Sequence, residues 1–267
     1  MSIFGFIGTG NMGGAMATAA RKAVPGKDLL LSNRTPEKAR ALAERLGARA
    51  VDNLTAAREA DYLFLGVKPQ MMAGMLASIR DALANRETPC VLVSMAAGLT
   101  MRRIREMAGA EYPIIRIMPN TPAAVGQGVV LCCSEGVDDA KLDTFKTAMA
   151  GAGMLDFVDE HLIDAGSAVS GCGPAFVYMF IDALIDAGVR VGLPRVQAKQ
   201  LAIQTVLGSA MMCTQSGAAE PAKLKADVCS PAGSTIEGVM ALEDYAFRAA
   251  VMEAVKAAYE RTVELGK

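Results

Sequence analysis

The chain has 267 residues, carries 27 basic against 28 acidic side chains for a formal charge of −1, and is 52 % hydrophobic. That composition excludes a disordered tail and gives no electrostatic footprint for a nucleic-acid backbone or an anionic membrane. A single histidine, His161, and the lack of tryptophan exclude a histidine-rich metal site and leave few platforms for stacking bases, so neither a metal nor a nucleic-acid partner is expected.

Short apolar runs at 3–7, 29–31, 49–51, 62–67, 90–95, 114–118, 129–133 and 154–158 alternate with segments of helical period. This alternation predicts a parallel sheet covered by helices, and most runs lack the polar alternation of a half-exposed strand. Thr35 before Pro36 predicts a cap, and Ala39, Leu42, Ala43 and Leu46 then share a face until Gly47 ends the helix. Thr100 opens a helix through Ile104 and Met107, and Asp138 or Asp139 caps one through Leu142, Phe145 and Met149. After about residue 160 the strands stop. Helices are expected over 161–187, interrupted near Ser170, Gly171, Cys172 and Gly173, and over 195–216, 236–242 and 245–265.

The change of pattern predicts two domains: a Rossmann-like, doubly wound α/β domain over 1–160 that binds a dinucleotide, and an all-α domain over 161–267. The second is apolar on more than one face, as Phe176, Val177, Met179, Phe180, Ile181 and Leu184 show. A helix of that kind needs cover on all sides, which predicts self-association; a methionine-rich core packed within one chain is the alternative. No uncharged apolar run reaches the ~18 residues of a membrane helix, and no leader precedes the first strand, so a cytoplasmic protein off the membrane is expected. Six cysteines without a C-x-x-C pair read as buried, reduced thiols.

Gly8, Thr9, Gly10, Asn11, Met12 and Gly13 form a G-x-G-x-x-G turn directly after the first strand and before a helix. In that context the first glycine permits the turn, the second lets a pyrophosphate approach, and the third brings helix and strand together. Some twenty residues on, where an NAD enzyme places an acid, stand Asn33, Arg34 and Thr35. A guanidinium and hydrogen-bond donors there suit a 2′-phosphate and favour NADP, although a solvated arginine at a helix cap has the same pattern. Val67, Lys68 and Pro69, the Ala96, Ala97 and Gly98 turn, and Asn120 within Met118 to Pro122 all follow strands, where open parallel sheets bind ligands. Cys229 to Ile236 is the densest polar turn of the second domain; its free amides suit a carboxylate, and an ordinary capped helix start reads equally well.

Together these motifs resemble the delta-1-pyrroline-5-carboxylate reductase family along essentially the whole chain: F-I-G-T-G-N-M-G, N-R-T, Asp52-Asn53, G-V-K-P, M-P-N-T-P, S-G-C-G-P-A-F, and L-K-x-x-V-x-S-P-x-G-S-T-I-x-G from Leu224. The resemblance implies NADPH- or NADH-dependent reduction of a cyclic imine to L-proline. It implies that Gly8, Thr9, Gly10, Asn11, Met12, Asn33, Arg34, Thr35, Asn53, Val67, Lys68, Pro69, Ala96, Ala97 and Gly98 line the dinucleotide, with Asn120 helping to fix cofactor or substrate. It further implies that Ser230, Pro231, Gly233, Ser234 and Thr235 hold the substrate carboxylate, with Thr235 near the imine nitrogen as the catalytic group. The family builds its site at a dimer of helical domains, and rings of dimers occur. Cys172 stands where the family usually has serine, Glu220 where histidine is common, and Ser234 where threonine or alanine is frequent.

Hydride delivery to an imine needs a protonated nitrogen and an oriented approach more than a strong base. His161 and Cys172 are accordingly expected to be a surface residue and a packing residue. Rival readings are a 3-hydroxyacid dehydrogenase or another imine reductase, and a non-catalytic NADP-binding sensor. The first rival needs a lysine base, and none follows Pro174 before Lys199.

Overall fold

The computed structural model describes residues 2–215, 217 and 219–265; the predicted helix end at Ser216 and both chain ends lie outside the described residues. Two compact units result: Met1–Cys172 with Ala258–Lys267, and Gly173–Ala257.

In the first unit, strands β1 (Phe4–Ile7), β2 (Leu29–Ser32), β3 (Arg49–Ala50), β4 (Tyr62–Leu65), β5 (Val91–Ser94), β6 (Ile114–Pro119), β7 (Gly128–Glu135) and β8 (Gly153–Phe157) make one sheet in the order 3-2-1-4-5-6-7-8. Helices α1 (Asn11–Ala20), α2 (Pro36–Leu46), α3 (Asn53–Glu59), α4 (Pro69–Ala84), α5 (Met101–Ala108), α6 (Asp139–Met149) and α7 (Ile163–Ser170) cover it. Alternate strand residues feed two cores. Phe4, Phe6, Leu31, Phe64, Val93 and Ile117 meet Met16, Leu42 and Phe145 on one face, while Ile7, Leu65, Leu92 and Ile114 meet Ala56, Leu76 and Ile104 on the other. The β1–β4 register sets Phe4 opposite Tyr62 and Phe6 opposite Phe64, and their rings stack at 4.7 and 4.3 Å.

The sheet departs from the all-parallel expectation at one place. β7 runs antiparallel to β6 because only the short turn around Thr121–Val125 joins them, whereas a parallel return needs a crossover of a dozen residues or so. α6 supplies such a crossover between β7 and β8, which pair in parallel. β3 is also shorter than expected, an exposed two-residue edge rather than a buried strand.

The predicted caps divide. The side chains of Thr100 and Asp138 accept the backbone N–H groups of Arg103 and Lys141 at 3.2 and 2.8 Å. Thr35 holds the cap position of α2 but makes no side-chain bond to the helix.

The second unit contains α8 (Gly173–Arg190), α9 (Arg195–Thr214), α10 (Pro221–Asp227), α11 (Ser234–Asp244) and the first part of α12 (Phe247–Leu265). The break expected near residues 170–173 separates α7 from α8, and α10, absent from the sequence reading, starts on Pro221 as its first helical residue. Its own core is small: Ile185, Ala198 and Ala202 are buried, with Ile181, Leu184 and Leu193 against them. Met179 and Val196 are each 73 % exposed and Met252 is 67 % exposed. An 18-residue window within Glu160–Arg190, the stretch that holds α7 and α8, reaches a mean hydropathy of 1.6 and so resembles a membrane-crossing helix by length and composition only. Every 18-residue window there includes a charged residue such as Asp164 or Asp182, so the expectation drawn from uncharged runs is unchanged.

Candidate functional site

The glycine turn sits where the strand order reverses between β1 and β4, the place where open α/β sheets bind ligands. Gly8 has φ +94°, and the N–H groups of Gly8 and Thr9 both donate to the Ser32 carbonyl, at 2.9 and 3.2 Å. Three glycines interlock around the Gly8 carbonyl. A Cβ on Gly13 would stand 2.3 Å from that oxygen, one on Gly66 2.6 Å from it, and one on Gly8 2.5 Å from the Gly66 oxygen. Gly10 differs, because a Cβ there would meet nothing within 4 Å.

Gly10 is the cap of α1, with no side-chain capping bond and no acid in the first turn. By helix geometry the amides of Asn11, Met12 and Gly13 have no intrahelical acceptor. Open space, free N–H groups and a positive helix end fit a pyrophosphate.

At the end of β2 the residues form a small polar network. The Thr9 hydroxyl donates to the Ser32 carbonyl at 3.4 Å, Asn33 Nδ2 donates to Thr9 Oγ1 at 3.3 Å, and the Thr35 N–H donates to Asn33 Oδ1 at 3.0 Å. Ser32 Oγ donates to Asn53 Oδ1 at 2.6 Å, tying β2 to the start of α3. Asp52 caps that helix by accepting the Thr55 N–H at 2.7 Å, and this bond holds its carboxyl below the usual range. Arg34 and Thr35 are exposed beside the network, with the Thr35 hydroxyl uncommitted to the helix.

The neighbouring strand ends add more of the predicted residues. Lys68 is the exposed cap of α4 and Pro69 its first helical residue, with Val67 half-buried before them. After β5, Ala96 is buried, Ala97 is partly buried and Gly98 adopts φ +74°. Asn120 is buried and committed to protein partners: Nδ2 donates to the Ser170 carbonyl and Oδ1 accepts the Val129 N–H, both at 2.9 Å. These bonds fix its side chain at the end of β6, with one Nδ2 hydrogen and one Oδ1 lone pair left uncommitted by them.

In the second unit, the turn before α11 closes with the Gly233 N–H on the Ser230 carbonyl at 3.1 Å, and Ala232 takes φ +57°. The helix begins at Ser234, two residues earlier than expected, so Thr235 lies in its first turn rather than before it. Gly233 caps the helix without a side-chain bond, and a Cβ on it would stand 2.4 Å from Ser230 Oγ. The amides of Ser234, Thr235 and Ile236 have no intrahelical acceptor, and Ser230, Pro231, Ser234 and Thr235 are exposed. Free amides and exposed hydroxyls thus gather at one turn.

The cysteines only partly match their expected burial. Cys90, Cys132 and Cys133 are buried, and burial pushes their thiols up to about 11, 12 and 11, so they are inert at neutral pH. Cys172, the last residue of the first unit before α8, is half-buried; in the second unit Cys229 is half-buried and Cys213 exposed, because that unit's own core is small. His161 is exposed in a short turn of 3-10 helix. Among the described residues, no group of three or more His, Cys, Asp or Glu side chains is placed to hold a metal.

Sequence reasoning missed Ser32 and Gly66. The small polar residue closing β2 was a weak signal for the first, and the glycine of G-V-K-P, directly after β4, was a readable one for the second.

A doubly wound sheet with an acid-free glycine turn at its switch point, followed by a helical unit, defines a dinucleotide-dependent oxidoreductase. A family description for pyrroline-5-carboxylate reductase dimerisation matches residues 160–265, and one for NADP oxidoreductases, coenzyme F420-dependent, matches residues 3–98. The chain is 38 % identical over 270 residues to the pyrroline-5-carboxylate reductase of Corynebacterium melassecola, covering 100 % of both, and 39 % identical over 273 residues to that of Escherichia coli strain K12, covering 98 % of each. A crystal structure of Plasmodium falciparum pyrroline carboxylate reductase with NADP bound superposes with a TM-score of 0.89 at 33 % identity, covering 100 % of this chain and 98 % of that one. The chain belongs to the pyrroline-5-carboxylate reductase family.

Proposed function

We infer that this chain reduces 1-pyrroline-5-carboxylate to L-proline with NADPH, the closing step of proline synthesis. The observation that carries the reading is the presence, in one member of this family, of two uncapped helix starts built for anions: Gly10 before α1 and Gly233 before α11. The first suits the pyrophosphate of a dinucleotide and the second the carboxylate of a small imino acid. When bound, the reduced dinucleotide supplies the hydride that the imine carbon receives.

The chain's own work is to bind, orient and supply a proton path. The amides of Asn11, Met12 and Gly13 hold the pyrophosphate, with Gly8, Thr9 and Gly10 shaping the turn. Asn33, Arg34 and Thr35 receive the 2′-phosphate, and Asn53, Val67, Lys68, Pro69 and the Ala96 to Gly98 turn complete the cofactor wall. Ser230, Pro231, Gly233 and Ser234 hold the carboxylate, and the Thr235 hydroxyl hydrogen-bonds the imine nitrogen or relays its proton. The functional division runs 1–160 for the dinucleotide and 161–267 for substrate and self-association. Under-filled α8 and α9 support a dimer, and a ring of dimers is compatible with it. Six unbridged cysteines support a cytoplasmic setting.

A steady-state assay with pyrroline-5-carboxylate and each cofactor tests the reading. NADPH-dependent turnover is expected, with NADH accepted less well. Tight NADPH binding without turnover of any imine would instead establish a sensor, and oxidation of 3-hydroxyacids would establish the dehydrogenase, although α8 carries no lysine to serve as its base.

Two variants test the residues. Arg34→Asp removes a charge-assisted contact of about 1.5–3 kcal/mol and should lower the kcat/KM preference for NADPH over NADH at least about tenfold. An unchanged ratio would show that Arg34 does not read the 2′-phosphate. Thr235→Ala should lower kcat about a hundredfold if the hydroxyl relays the proton, and a near wild-type kcat removes it from the chemistry.

A further inference from the structure

Arg116 is the largest fully buried side chain among the described residues, in a strand whose neighbours on the same face, Ile114 and Met118, are apolar. Its Nη2 donates to Asp164 Oδ1 at 2.7 Å and its Nη1 to Glu160 Oε1 at 3.4 Å, while Nε is buried without a partner. A buried guanidinium with one orphaned N–H is a poor way to stabilise a strand, since a methionine of similar length avoids the desolvation cost. Its value must lie in what its two carboxylates hold.

Those carboxylates lead to two segments at the carboxyl edge of the sheet. Glu160 Oε1 also accepts the Met101 N–H at 2.7 Å, at the start of the helix that follows the Ala96 to Gly98 turn. Asp164 stands in the first turn of α7, and the last carbonyl of that helix, Ser170, is the one Asn120 holds from the end of β6. β6 therefore grips α7 at both ends, and through Glu160 it grips the turn after β5 as well.

We propose that Arg116 is a positioning residue for hydride transfer, which sets the Ala96 to Gly98 turn through Glu160 and the first turn of α7 through Asp164. This rests on the reading of the chain as an imine reductase. The cofactor turn and the start of α7, whose far end Asn120 holds, are placed by one shared cation, so loosening it shifts both by a fraction of an ångström without removing any group that touches a ligand. Misplacement on that scale lowers the rate of the chemical step more than it lowers binding.

The test uses the full-length protein with Arg116→Met, Arg116→Lys and Glu160→Gln. Glu160 is partly exposed, so Glu160→Gln keeps the fold accessible if Arg116→Met does not. In the folded variants kcat should fall about tenfold while KM for both substrates stays within about twofold. The deuterium isotope effect with NADPH labelled at C4 should rise as hydride transfer becomes rate-limiting. Arg116→Lys, which keeps the charge but cannot fork to both carboxylates, should recover part of kcat. Unchanged kcat and isotope effect in folded Arg116→Met and Glu160→Gln overturn the proposal, as does a loss of activity that only follows the folded fraction. A wild-type chain that turns over no imine overturns the functional reading, a different result from an active wild type with unaffected variants.

Discussion

Gly13→Ala is expected to weaken NADPH binding at least about tenfold, the equivalent of about 1.4 kcal/mol, in a protein that still folds. The new Cβ would stand 2.3 Å from the Gly8 carbonyl oxygen, a backbone atom that cannot rotate away. α1 must back off from the turn, and its uncapped first amides move with it. Overpacking of this kind costs about 1–3 kcal/mol of stability, which a domain of this size can tolerate. Gly10→Ala provides the internal control, because its Cβ meets no protein atom and should impair binding only by occupying the space a pyrophosphate would fill. With no tryptophan in the chain, NADPH fluorescence can be followed without protein indole emission. If Gly13→Ala binds NADPH like the wild type, the interlocked glycines are a packing feature with no part in the cofactor site.

The double variant Leu207→Asp with Met211→Asp is expected to convert the protein to single chains and to abolish activity. These side chains lie one turn apart on α9 and are 51 % and 54 % exposed, although both are apolar. Among the described residues the second unit buries Ile185, Ala198 and Ala202, and the apolar surface that α8 and α9 leave exposed is the face that the proposed self-association would cover. A carboxylate buried at the centre of such an interface costs about 2 kcal/mol or more, and two weaken association by roughly a thousandfold. Sedimentation at micromolar concentration reads the outcome. An unchanged assembly mass would place the interface elsewhere on the unit.

Much of the dinucleotide half was legible because its signals are local. The turn from Gly8 to Gly13 follows from three residues that lack a Cβ, and the absence of an acid at Asn33 to Thr35 is a matter of residue type. The caps at Thr100 and Asp138 are decided within three residues, and the structure reproduces both. At the start of α2 local reasoning fell short. Thr35 occupies a cap position without capping, its side chain making no bond to the helix. The reversal at β7 was equally hidden, since an apolar run does not record its direction and only the short connection after β6 sets it.

By itself the sequence determined a balanced charge, a strand-and-helix half with its glycine turn, and a helical half apolar on more than one face. Each of these follows from composition or from neighbours along the chain. Tertiary structure alone decided that Gly66 closes over Gly8, that Ser32 anchors both the turn and Asn53, and that Arg116 meets Glu160 and Asp164 more than forty residues away. Those contacts depend on strand order and register, which bring together residues that no spacing in the sequence relates. In composition Arg116 is one charge among 27 basic groups, and only its place in β6 distinguishes it from the arginines at the surface.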